Sequence, residues 1–190
     1  MLERIVTKST NYLIRSHVIE EEDKDVYEYG FHSLYNNIID ITSILIISLC
    51  LHQVPQTLLY HIAFIALRNT AGGFHSKTHF RCFILSNALW LFSLWSISNF
   101  FSPIICIILT GSSVFFVWLN SPIEHKNNPL SAKKLQQMLI ISRIISAILF
   151  LVVVFVLTLG INYIWIAASL SYGMASHMIL AFVVLLRKHI

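Results

Sequence analysis

Arg68-Asn-Thr-Ala-Gly-Gly-Phe-His75-Ser-Lys-Thr-His-Phe-Arg-Cys82 is a polar, basic interruption between two long apolar runs, and the rest of the chain is read outward from it. Arg68, His75 and Cys82 stand seven residues apart, a step that returns to nearly the same helix face after about two turns. Gly72 and Gly73, just ahead of the histidine, let the backbone turn tightly or approach a ligand closely. The segment reads as a loop that feeds a helix, and what lies on either side fixes its setting.

On both sides the chain is strongly apolar. Its 190 residues are 56% hydrophobic and 12% charged, with a mean hydropathy of +0.73, too apolar for a soluble domain of this size. Apolar stretches fall at residues 34 to 52, 54 to 69, 82 to 101, 103 to 120, 137 to 159 and 162 to 186. Most approach the roughly 20 residues that cross a bilayer. The fold class this predicts is all-α: a polytopic integral membrane protein with about six transmembrane helices. The second stretch is the weakest, being short and interrupted by His61, and is read as tilted, locally thinning the bilayer, or re-entrant.

The basic residues test this division independently, because cytoplasmic loops collect Lys and Arg. All 13 fall before the first span, between spans two and three, between or just inside spans four and five, or at the end of the chain. The short links near His52, Phe101 and Gly160 contain none. The scheme therefore puts both termini and the His75 loop in the cytoplasm, with the chain in the cell membrane. The net charge of +4 is accounted for by this topology and by anionic inner-leaflet lipid, so membrane lipids and not nucleic acid are the expected partners.

Residues 1 to 30 are read as a cytoplasmic or interfacial helical segment. Leu2, Ile5, Val6, Ser9, Tyr12, Leu13 and Ser16 form a helical stripe opposite Glu3, Arg4, Lys8, Asn11 and Arg15, which predicts an amphipathic helix on the membrane surface. No cleavable signal-peptide pattern opens the chain. An acidic patch from Glu20 to Glu28 follows and is read as a solvated helix face or turn.

Asp40 lies in the cytoplasmic half of the first span, where a carboxylate needs a polar partner. It either anchors the polar loop or helps to orient its histidine. Between spans four and five, Pro122, Asn127, Asn128 and Pro129 make a turn-rich connection, and Ser131 is placed to cap the next helix. Lys126, Lys133 and Lys134 suit an acidic peptide, although positive-inside topology alone also puts lysines there. Ala168, Ser169, Gly173 and Ser176 in span six permit close helix packing, either within one subunit or in a homodimer. His177 is read as a hydrogen-bonded packing residue, and Cys50 and Cys106 as small apolar filler.

Cys82 is different, because it is the one cysteine on the side where thiols stay reduced. A cysteine attacks carbonyl carbon as its thiolate, and therefore needs a base and a positive environment. Arg81, Lys77 and His79 are near in sequence. If the segment were one continuous helix, His75 would stand about 10.5 Å away along the axis, so the histidine must belong to a loop that folds back. A competing reading makes His75, His79 and Cys82 three zinc ligands at i, i+4 and i+7, but no HExxH glutamate accompanies them. A non-catalytic peptide transporter or scaffold is the third.

Arg68, Gly72-Gly73-Phe74-His75, Lys77 to Arg81-Cys82, and the Ser121-Pro122 and Asn128-Pro129 loop with its lysines together resemble the accessory gene regulator protein B (AgrB) family. These are membrane cysteine endopeptidases of Gram-positive quorum sensing. The likeness spans nearly the whole chain in size, hydropathy and loop order. It implies a single membrane-embedded peptidase domain over residues 1 to 190, with the catalytic loop and helix start at 68 to 82. Cys82 then corresponds to the nucleophile and His75 to its base. Beside the resemblance, Arg68, Gly72, Gly73 and Asp40 are read from their positions as supporting residues. The implied substrate is an AgrD-like propeptide, cleaved through an acyl-enzyme and cyclised to a thiolactone or lactone. Neither metal nor cofactor is expected.

Overall fold

The computed structural model describes residues 2–16, 18–72, 79–100, 102–123 and 131–188. Nearly all of them are helical: α1 (Leu2–Arg15), α2 (Lys24–Cys50), α3 (Val54–Ala71), α4 (His79–Asn99), α5 (Pro103–Asn120), α6 (Ala132–Thr158) and α7 (Ile164–Lys188). Short 3-10 turns, Glu21–Asp23 and Ile161–Tyr163, precede α2 and α7. Among the described residues four helices are long and apolar enough to cross a membrane: Glu21–Cys50, Pro103–Asn120, Ala132–Thr158 and Ile161–Leu186. The protein is an all-helical membrane protein. α3 has 18 residues but is not among the four, because Gln56, His61, Arg68 and Asn69 lower its apolar content.

The chain divides into two compact units, Met1–Leu51 and His52–Ile190. In the first, α1 packs on α2. Its buried line runs through Val6 and Thr10, with Ser9 Oγ 2.8 Å from the Tyr35 hydroxyl. Ile5 and Tyr12, which the sequence stripe placed with the apolar face, are 43% and 70% exposed. The inward line follows i, i+3 and i+4 from Val6, which brings in Thr10 and turns those two residues aside. α2 begins ten residues upstream of the expected span start at residue 34, at Lys24. The acidic patch is the reason: Glu21, Glu22, Asp23 and Asp25 lie in and beside its opening turns, where carboxylates stabilise the positive end of the helix dipole.

The second unit is built around α7, which packs against α3, α4, α5 and α6. Of its apolar window 56% is buried, against 22% in α5 and 28% in α6, so α7 is the central helix and the other two have more open faces. Small residues allow this. Ala167, Ala168, Ser169 and Ser171 are fully buried, and a Cβ on Gly173 would run into the carbonyl oxygen of Tyr60 in α3. The small-residue face predicted in span six is thus used inside the chain.

Buried hydroxyls join the same helices. Thr110 donates to Ser171 Oγ at 2.7 Å, Ser93 and Ser176 approach to 3.4 Å, and the Tyr60 hydroxyl is turned toward both of these serines. Such bonds between membrane helices contribute about 0.6 kcal/mol each on average. Trp90, 0% exposed, meets the His61 ring edge-on at 5.6 Å. His61 Nδ1 donates to Thr57 O at 2.9 Å, which satisfies the polar group that weakens the second apolar stretch.

The helix ends follow local sequence signals. Ser102 accepts from Ile105 N–H at 3.2 Å with Pro103 in the first turn, and Ser131 accepts from Lys134 N–H at 3.4 Å, as its cap position predicted. Gly160, at φ 106°, turns the chain from α6 into α7. Cys50 and Cys106 are free thiols, the first exposed and the second buried.

Candidate active site at the α3 and α5 termini

α3 ends because Gly72 takes φ 77° and ψ −173°, a region open essentially to glycine alone. Arg68 and Cys82 therefore lie on different helices, and the seven-residue spacing does not set them on one face. The next helix, α4, is described from His79 onward and includes the backbone of Cys82. The side chains of residues 79 to 82 lie outside the described ones, as do Gly73, His75, Glu124 and Lys126 entirely. His79 and Cys82 share one helix at i, i+3, and no group of three metal-binding side chains occurs among the described residues.

What the structure does place is the junction from which both polar loops depart. Ile123 N–H donates to Ala71 O at 2.9 Å, and Gly72 and Ile123 form an isolated parallel bridge. The approach is close enough that a Cβ on Gly72 would collide with the Ile123 carbonyl oxygen. From α7, His177 Nε2 lies 2.9 Å from Gly72 O. A carbonyl can only accept, so Nε2 carries the proton and donates. The starts of the His75 segment and of the proline loop are thereby tied to one another and to the central helix.

Arg68, in the last turn of α3, holds its guanidinium 5.7 Å from the centre of the Phe64 ring. It is near enough to His177 for its charge to act on the imidazole. On the other loop, the Ser121 and Ser142 hydroxyls meet at 2.7 Å, and Arg143 donates to Trp118 O at 2.9 Å while lying over the Trp118 ring at 5.7 Å. These contacts join the end of α5 to the body of α6. Lys133 and Lys134 are exposed in the first turn of α6, about 12–14 Å along the helix from Ser142. They stand away from the junction, on the part of α6 that runs beyond the end of α5. Asp40 is half-buried in α2, within the first unit.

Of the predicted site residues, the structure brings Arg68 and Gly72 to one junction, places the Cys82 backbone on a separate helix, α4, and sets Lys133 and Lys134 apart on α6. Ile123 and His177 also belong to the junction, and sequence reasoning gave neither a site role. His177 is 105 residues from Gly72, a separation at which spacing carries no information. Its signal was a histidine among small and apolar residues of a long span.

A bundle of apolar helices, with two glycine- and proline-marked polar segments tied together at their origins, defines a helical membrane protein with a polar junction at its helix ends. The profile of the family described as accessory gene regulator B matches residues 6–185, and the chain belongs to that family. It is similar to putative AgrB-like protein 2 of Clostridium perfringens (strain 13 / Type A), with 27% identity over 123 residues that cover 60% of this chain and 58% of the relative. Accessory gene regulator protein B of Staphylococcus carnosus (strain TM300) is 28% identical over 102 residues, 53% of each chain. The chain thus spans less than two thirds of the length of these relatives. No solved structure matches significantly.

Proposed function

We propose that the protein is a membrane cysteine endopeptidase of agr quorum sensing, which cleaves an AgrD-like propeptide and promotes its cyclisation. One observation supports the chemistry beyond family membership: α3 ends at Gly72 and Cys82 belongs to a separate helix, α4, so the histidine and the cysteine are not held two turns apart on one continuous helix.

His75 accepts the thiol proton of Cys82. The thiolate adds to the scissile carbonyl, and the tetrahedral intermediate expels the downstream amine, which takes the proton back from His75. The upstream part of the peptide is left as a thioester on Cys82. A cysteine side chain within that peptide then attacks the same carbonyl, releasing the Cys82 thiol and closing a thiolactone; a serine would close a lactone. Exchange of one thioester for another is nearly balanced in energy, so exclusion of water decides between ring and linear acid. Backbone amides around Gly72 and Gly73 are suited to holding the oxyanion, while Arg68 braces the loop or receives a carboxylate.

In this reading six helices, α2 to α7, cross the membrane, α1 lies along its surface, and the polar loops face the cytoplasm. Lys126, Lys133 and Lys134 receive the acidic part of the propeptide. Co-expression with a propeptide tests the proposal. Cys82→Ala, Cys82→Ser and His75→Ala should each abolish cleavage with membrane insertion intact, whereas Cys50→Ala and Cys106→Ala should remain active. Normal processing by either Cys82 variant removes the nucleophile assignment.

A further inference from the structure

His177 is 2% exposed, between buried Met174, Ala175 and Ser176 on one side and buried Leu180 and Ala181 on the other. An imidazole inside a membrane helix is retained at a cost unless its nitrogens are used. Among the described residues only one of them is. Nε2–H donates to Gly72 O, while Nδ1 is buried with no hydrogen-bond partner among the described residues. A leucine or phenylalanine would fill this space without stranding a nitrogen, so packing alone does not account for the residue.

Its partner is also specially held. The left-handed φ of 77° at Gly72 and the contact with Ile123 admit no side chain. The carbonyls of Ala71 and Gly72, which a helix end leaves unsatisfied, are both taken by groups from distant parts of the chain: Ile123 N–H and His177 Nε2–H. With both carbonyls pinned, the direction in which the chain leaves α3 is fixed.

We propose that His177 is a positioning residue for peptide cleavage: through its Nε2–H bond to Gly72 O it sets the path of the chain from α3 into the segment that carries His75. It neither touches the peptide nor transfers a proton. The proposal rests on the reading of His75 and Cys82 as the catalytic pair.

The test uses the full chain in liposomes with a synthetic AgrD-like propeptide containing a central cysteine. His177→Phe keeps a ring without a donor, and His177→Gln returns an N–H near the place of Nε2. A small displacement of a catalytic group costs up to about a hundredfold in rate. His177→Phe should accordingly lower kcat by about tenfold or more and leave KM within about twofold, while His177→Gln recovers most of the loss. Hydrogen exchange at the Ile123 amide, slow in the wild type and in His177→Gln, should accelerate in His177→Phe. Wild-type kcat in His177→Phe, or equal impairment in His177→Gln, overturns the positioning role. Cys82→Ala, assayed alongside, separates the two levels: if it still cleaves, the catalytic pair is wrong and the positioning role goes with it. If it is inactive and His177→Phe is not, only the positioning role fails.

Discussion

Gly72 is the residue on which the geometry of the α3 junction turns. At φ 77° and ψ −173° any side chain is strained by about 1–3 kcal/mol, and here a Cβ also meets the Ile123 carbonyl. Gly72→Ala should therefore insert and accumulate normally but lose at least about nine-tenths of propeptide turnover, since misplacement near the reacting groups is penalised steeply. Wild-type turnover in that variant would show that the α3 terminus has no part in catalysis. The double glycine made this turn legible in the sequence, as a place where the backbone needs freedom that other residues lack. The use made of it was not legible, because Ile123 and His177 reach Gly72 from far along the chain.

Among the elements, α3 and α7 bear the tightest contact. A Cβ on Gly173 would meet the Tyr60 carbonyl and stand 3.1 Å from Ala63 Cβ, so Gly173→Ala should destabilise the bundle by about 1–3 kcal/mol, the usual cost of overpacking. Gly111 in α5 has nothing within 4 Å of an added Cβ. There the same change should be neutral or stabilising by up to about 1 kcal/mol, through helix propensity. Thermal unfolding of the two variants in detergent checks the pair, and equal midpoints would contradict the packing described. Hydropathy located all six apolar stretches on helices, but among the described residues only four of those helices are long and apolar enough to cross a membrane; polar residues such as His61 and Arg68 dilute the apolar surface of α3. The apolar stretch from residue 34 marks only part of α2, which runs from Lys24; the acidic residues before it, read as a solvated helix face or turn, form its opening, where carboxylates favour a helix start. For α6 the apolar stretch begins only at residue 137, while the Ser131 cap marked the true helix start at Ala132.

For the whole molecule, two basic and polar segments leave the helices from one junction, and the proposed function gives both a part in one reaction. Lys133 and Lys134 lie about 12–14 Å of helix away from Ser142, a distance spanned by about four extended residues. Replacing both lysines with glutamate should raise KM for the propeptide by about tenfold or more, the effect of losing a few charge-assisted contacts, and leave kcat within about threefold. A fall in kcat at constant KM would assign them to another role. The most direct test of the central claim is mass spectrometry of the full-length protein mixed with propeptide and quenched during turnover. The account predicts an acyl adduct on the peptide that contains Cys82, equal in mass to the upstream part of the propeptide less one water, and absent from Cys82→Ala. Released fragments with no such adduct, or with undiminished cleavage by Cys82→Ala, would contradict it.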